Sequence, residues 1–399
     1  MIDRRDFLFK LGAAGVAPAA LGAAPTPAPE RRTDFLSHAL VLSGGGARGA
    51  YEAGIIWEMA RRAGLRDGER FTPYEFVCGA SIGALNGWFV ATGQYSMLEN
   101  LWRTIAQANL VRLKPEFEKI TVQTAGLTNR LLAAFRLLGL TKDQKAVAQS
   151  DPVITWMKHV IDPRTPLIVP LVWSVTDLVS QQPEYFYRLP PGFPGPPAFI
   201  TESLQITVGP HVVIREATDA VLHRALLGSA ALPLVFDPVA IPDKNGRIRQ
   251  YVDGGVASNS PVSIARTVAK GVDVILLDPR EEFDDLPSAI DVSLAAFRTM
   301  QRKILESEFA QAYVQSFAKL ELERIVPDAL ERLSAESPLF NTFLKYVPIS
   351  ELRYMRPKET LPVGVGAFDD QENIDKTFAI GATDAGAGFT DYDWETFRY

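Results

Sequence analysis

Three short glycine-bearing segments of this 399-residue chain offer a hydroxyl, a run of backbone amides and a carboxylate in patterns that can support a reaction. Gly79-Ala80-Ser81-Ile82-Gly83 has the Gly-x-Ser-x-Gly spacing of a nucleophile elbow. In an elbow a serine sits on a sharp strand-to-helix turn, and the flanking glycines relieve backbone crowding. Taken alone, the same letters also fit an ordinary glycine-rich turn. Gly44-Gly45-Gly46-Ala47-Arg48-Gly49 is the second segment. Consecutive glycines let backbone N–H groups converge, and a following helix adds its positive end. Such a nest holds an anion, either a bound phosphate or the oxyanion of acyl transfer, where one donor is commonly worth about 10²–10³ in rate. The third, Asp253-Gly254-Gly255, places a carboxylate at a strand end with a close backbone turn behind it. Asp-Gly is a frequent turn signal, so alone this segment reads first as a turn.

Segment 44–49 also fits Gly-x-Gly-x-x-Gly, the dinucleotide fingerprint. That fingerprint needs an acidic residue near the end of the second strand to hold a ribose hydroxyl. Here the second apolar run ends at Cys78 and Gly79 and then delivers Ser81, which disfavours a nucleotide.

The elements that must position these groups alternate between strand and helix. Leu40-Val41-Leu42 is a buried strand entering the glycine loop, and Tyr51, Ile55, Ile56 and Met59 recur at helical spacing after it. Glu75 to Gly79 reads as a second strand and Ile82 to Ala91 as a second helix. Strands joined through helices argue for a parallel sheet covered on both faces. Tyr95 to Val160 reads as several helices, one opening at Ser150-Asp151-Pro152. Leu167 to Val175 is a third strand with Glu184 to Arg188 as its hairpin mate. A helix at 217–227, a strand at 249–252 and a strand at 272–277 follow. Beyond Arg280 the pattern is helical over 289–325, with Phe297, Met300, Ile304, Phe309, Tyr313 and Phe317 near helical spacing, then irregular to Tyr399. That stripe reads first as a packing face. The expected fold is three-layer α/β/α with a mainly parallel central sheet and a helical C-terminal extension.

The three segments in this order resemble the patatin-like phospholipase family, from about His38 to Leu277. The resemblance includes Ala230-Ala231-Leu232-Pro233, Phe236-Asp237-Pro238 and Asn259-Ser260-Pro261-Val262. It implies a Ser–Asp dyad in place of a Ser-His-Asp triad. Ser81 would attack an ester carbonyl and Asp253 would take its proton. Amides of Gly44, Gly45 and Gly46, with help from Ile82, would hold the oxyanion. Gly79, Gly83, Arg48, Gly49, Gly254 and Gly255 would support the elbow and loops. It also implies a lipid acyl hydrolase of phospholipase A, lysophospholipase or esterase type acting on lipid or acyl esters. The histidines agree with a dyad: an α/β-hydrolase triad runs Ser, acid, His, and the last histidine here, His223, lies far from the C-terminal end. Arg48 reads equally as a head-group contact and as a loop salt bridge, and Asp177 as structural. Trp88, Phe89, Leu226, Leu227, Leu232 and Phe236 are candidates for an acyl channel and, in any such fold, material for the core.

Composition narrows the classes. With 47% hydrophobic and 22% charged residues the chain is globular, and a net charge of −6 gives no electrostatic case for nucleic acid. One cysteine, Cys78, excludes an intramolecular disulfide and multi-cysteine metal sites, and it reads as a core thiol. His38, His159, His211 and His223 lack metal-ligand spacing and no EF-hand-like loop is present, so no metal or other cofactor is expected. Arg4-Arg5-Asp6-Phe7-Leu8, followed by an uncharged run from Leu11 to Ala24, resembles a twin-arginine export signal, with Asp3 where that pattern prefers Ser or Thr. Cleavage after Ala19, Ala24 or Ala28 is compatible, and Pro25 to Pro29 reads as a linker. The expected organisation is a signal and linker over 1–30, a catalytic domain over 38–280, and a mostly helical region packed on it over 281–399. The expected location is the periplasm or the exterior.

Overall fold

The computed structural model describes residues 36–121, 133–134, 144–193, 212–278, 289–325, 351–393 and 397. The signal-like N-terminus, its linker and His211 lie outside them.

The strands are β1 (Leu36–Leu42), β2 (Tyr74–Ala80), β3 (Leu171–Asp177), β4 (Gln182–Arg188), β5 (Val213–Glu216), β6 (Val239–Pro242), β7 (Ile248–Asp253), β8 (Ala269–Ile275), β9 (Glu351–Met355) and β10 (Thr390–Asp391). They form one sheet in the order β10-β9-β8-β1-β2-β3-β4-β5, with β7 paired to β3 and β6 paired to β7. From β9 through β8, β1 and β2 to β3 every neighbouring pair is parallel. The β3–β4, β3–β7 and β6–β7 pairs are antiparallel.

Both faces of the central strands are apolar because both are covered. Leu40, Leu42 and Val77 join one core, with side chains of α1 (Gly49–Arg62), α2 (Ile82–Thr92), α3 (Tyr95–Thr104), α4 (Pro115–Thr121), α5 (Asp151–Val160) and α6 (Leu222–Ala230). Ala39, Val41, Phe76 and Cys78 join the other, beneath α7 (Val262–Val268) and α8 (Ala289–Ile325). The result is a mixed, largely parallel sheet between two helical layers. Trp88, Phe89, Leu226, Leu227 and Phe236 are buried in the first core, with Leu232 packed against it, so burial accounts for these acyl-channel candidates.

Several boundaries differ from the sequence reading for physical reasons. The third strand starts at Leu171 because Pro170, inside the apolar run, has no N–H to give a ladder. Strand β8 begins three residues earlier, where Ala269 and Gly271 pair with Leu36 and His38. The stretch expected to be irregular beyond α8 holds β9, the helix α9 (Gln371–Asp384) and β10. Strand β9 reads Glu-Leu-Arg-Tyr-Met, with no apolar run to announce it. Helix α9 buries only Ile374, Thr377, Phe378 and Gly381, too few for a clear amphipathic stripe. Glycine lets α9 approach α1, since a Cβ at Gly381 would come within 2.0 Å of Tyr51 O. In the α8 stripe Phe309 is buried, whereas Met300, Tyr313 and Phe317 stay exposed.

Candidate active site

Ser81 follows β2 directly and caps α2, at a backbone φ of 52° and ψ of −124°. A side-chain-bearing residue with positive φ is strained, and such strain persists only where the surroundings enforce it. Two contacts enforce it here. The Ser81 N–H donates to Ser229 Oγ at 2.8 Å, and Ser229 Oγ donates onward to Ser174 O at 2.7 Å. Gly83 lets α2 start against β1, because a Cβ there would lie 2.3 Å from Leu42 O.

Asp253 ends β7 opposite Val175 of β3. Its amide donates to Ala231 O at 2.9 Å, and its carbonyl accepts Thr176 Oγ1 at 3.0 Å. The carboxylate is divided between two donors. Oδ1 accepts the Gly255 amide at 2.7 Å, and Oδ2 accepts the Ser81 hydroxyl at 2.6 Å. Ser81 is 8% exposed and Asp253 4%. Burial pushes the Asp253 carboxyl up from 3.8 to about 6, against the lowering pull of its bonds to Ser81 and Gly255. It is therefore mainly ionised at neutral pH, with an affinity for a proton well above that of a solvated aspartate. A 2.6 Å bond from a serine hydroxyl to such a carboxylate suits proton abstraction during nucleophilic attack.

The glycine loop lies beside the serine: a Cβ on Gly44 would come within 3.0 Å of Ser81 Cβ and 2.4 Å of Asn259 Oδ1. In one respect the loop differs from a nest of three free amides. The Gly44 N–H donates to Asn259 O at 3.1 Å and is already committed. The amides of Gly45 and Gly46 donate to no described residue. Gly46 adopts φ 58°, which turns the chain into α1. Arg48 is buried, and its guanidinium meets Asp278 at 2.9 Å.

Asn259 joins the two halves of the site. Its Nδ2 donates to Gly44 O at 3.2 Å, and Gln301 Nε2 of α8 donates to Gly255 O at 3.2 Å and reaches Asn259 Oδ1 at 3.5 Å. The sequence reading gave Asn259 no role and passed over Ser229 and Gln301. Asn259 and Ser229 stood in or beside the quoted motifs; Gln301 carried no local signal. Asp177 accepts the amides of Val179 and Ser180 and pairs with Arg249, which makes it a hairpin cap. His223 bonds Ile161 O and His159 bonds Thr155 O, each away from the dyad. A surface cavity of about 590 Å³ lined by Thr92, Gln94 and Asn100 lies at the far end of α2 from Ser81.

The sequence matches the patatin-like phospholipase family over residues 40–266, more than half of the chain. The chain belongs to that family, and it is a hydrolase of the acyl-ester class. Comparison with curated proteins gives no match. Among solved structures, the chain is similar to the crystal structure of VipD from Legionella pneumophila at 14% identity, covering 96% of this chain and 74% of that one with a TM-score of 0.32.

Proposed function

We propose that the protein hydrolyses lipid acyl esters through a Ser81–Asp253 dyad and a covalent acyl-enzyme. The observation that carries this reading is the 2.6 Å bond from Ser81 Oγ to a buried carboxylate. Ser81 Oγ attacks the ester carbonyl carbon while its proton passes to Asp253 Oδ2. The carbonyl oxygen becomes an oxyanion, received by the amides of Gly45, Gly46 and Ile82 at the start of α2. The tetrahedral intermediate collapses, the C–O bond to the alcohol breaks, and Asp253 returns the proton to the leaving oxygen. Water then attacks the acyl-serine carbonyl, giving a proton to Asp253; the second tetrahedral intermediate collapses, the acyl–Oγ bond breaks, Asp253 returns the proton to Ser81 Oγ, and the carboxylic acid departs. We infer further that the Arg4-Arg5 segment directs export. Sequencing the N-terminus of protein recovered from the periplasm tests this, and an intact Met1 there would contradict a cleaved signal.

The hydrolase reading is tested with a fluorophosphonate probe and a p-nitrophenyl ester. Wild type is expected to be labelled and to turn over, and Ser81→Ala to do neither. Turnover that survives Ser81→Ala would exclude the serine mechanism.

A further inference from the structure

The third strand outruns the sheet on the side where Ser81 sits. Strand β2 ends at Ala80, paired with Ser174, while β3 continues through Val175, Thr176 and Asp177 before turning. At about 3.3 Å per residue that overhang projects roughly 10 Å past the carboxyl end of β2. Strand β7 pairs along one side of it, in the place that β2 vacates, β4 pairs along the other, and β6 pairs along β7, so a four-stranded tongue of β4, β3, β7 and β6 stands out at the active-site end.

The two faces of the tongue differ. Helix α6 covers one of them, where Val175 and Tyr251 are buried. On the other, Thr176 and Val252 are still buried, and then the cover stops. Leu178, the first residue of the turn after β3, donates its amide to Gln250 O and so lies opposite Gln250, and Ile248 lies on the same face of β7 as Gln250, two residues along and opposite Pro242. Leu178 is 46% exposed, Ile248 55% and the neighbouring Val179 58%, with Pro242 also exposed. Large apolar side chains gathered on a bare sheet face mark a contact surface.

Charge indicates what the surface meets. Arg249 is answered within the tongue by Asp177 and Asp243, and Asp243 is further occupied by the amides of Asn245 and Arg247. The turn between β6 and β7 exposes Lys244 and Arg247 beside the apolar face. A cationic rim on a chain of net charge −6 runs against the overall sign, and apolar side chains beside cations complement an anionic membrane interface.

We propose that the bare face of this tongue docks the enzyme on an anionic lipid bilayer, with Leu178, Val179 and Ile248 entering the interface and Lys244 and Arg247 meeting the head groups. The proposal deepens the lipid-ester reading and rests on it for its purpose, though not for its geometry. The test uses the full chain with vesicles of phosphatidylcholine alone and of phosphatidylcholine with phosphatidylglycerol, measuring flotation, vesicle hydrolysis and turnover of soluble p-nitrophenyl butyrate. Wild type is expected to float with the anionic vesicles, less so at high salt. The double variant Leu178→Asp, Ile248→Asp is expected to bind them at least about tenfold more weakly and to lose vesicle hydrolysis in step, with p-nitrophenyl butyrate turnover unchanged. Lys244→Glu with Arg247→Glu, on an exposed turn, is expected to weaken binding about fivefold per cation on anionic vesicles and little on neutral ones. Anionic-vesicle binding equal to wild type in both double variants would overturn the proposal. So would self-association that these substitutions abolish without any vesicle binding, which would give the face to a second copy of the chain. Ser81→Ala separates the two readings. It should float like wild type, and wild type that floats through this face yet turns over no ester would sink the hydrolase reading and leave the docking surface standing.

Discussion

In the proposed dyad a single carboxylate sets the working range of the site. Burial raises Asp253 to about 6, so the dyad gains its basic form as pH rises through that value. The acidic limb of kcat/KM for a soluble ester is therefore expected near pH 6, and a limb near pH 4 would mean that Asp253 is solvated when it acts. The same burial bears on stability. The folded state holds its proton up to about 6 and the unfolded state only to 3.8, so the fold loses stability as pH rises between those values and does not regain it above them. Asp253→Asn is expected to raise the free energy of unfolding at pH 8 by on the order of 1–3 kcal/mol, while removing most activity. Unfolding curves for the two proteins at pH 8 check it. Ser81 and Asp253 both stood out in the sequence as candidates because glycines flank the serine on either side and follow the aspartate. The commitment of the Gly44 amide was not, since it depends on a carbonyl from Asn259, a residue remote in sequence.

At the scale of elements, the turn that follows Asp253 and the glycine loop are held together by Asn259 and steadied by Gln301 from α8. Removing the Asn259 amide leaves Gly44 O without its donor and holds the loop to the turn by the main-chain bond from Gly44 N–H to Asn259 O alone. Asn259→Ala is expected to cost about 1–3 kcal/mol of stability and to lower kcat more than it raises KM. An unchanged kcat would assign Asn259 to packing alone. Glu52 shows a different use of a buried acid. It is fully buried in α1, where Asn86 Nδ2 donates to it at 2.8 Å and Trp102 Nε1 donates to Asn86. Burial pushes its carboxyl well above the usual range. Glu52→Gln, which keeps the side-chain shape and an oxygen to accept the Asn86 amide, is expected to shift the thermal midpoint far less than Glu52→Ala. Helix periodicity located α1, yet nothing local to Glu52 marked it as an acid that faces inward.

The whole molecule is closed by its C-terminal region. Strand β9 pairs with β8, and Arg353 on it forks onto Asp273 at 2.7 Å through both Nε and Nη2, while Tyr74 of β2 donates to the same carboxylate. Helix α9 lies against α1, and Val365 O accepts the amide of Ala47 in the glycine loop. These parts lie beyond the family match at residues 40–266, but they complete its sheet and brace its loop. A chain ending at 280 is expected to lose cooperative unfolding and esterase activity together. A cooperative transition with full activity would show the remainder to be dispensable. The central parallel strands were readable from apolar runs covered on both faces. Strand β9 was not, because a charged strand near the sheet edge is specified by what it pairs with.

The account depends most on Ser81 and Asp253 acting as a pair, and the direct measurement is the rate of fluorophosphonate modification at pH 8, with the adduct mapped by peptide mass spectrometry. The expected result is a single adduct on Ser81, formed in wild type at least about 10²-fold faster than in folded Asp253→Asn. An adduct on any other residue, or equal rates in the two proteins, would contradict it.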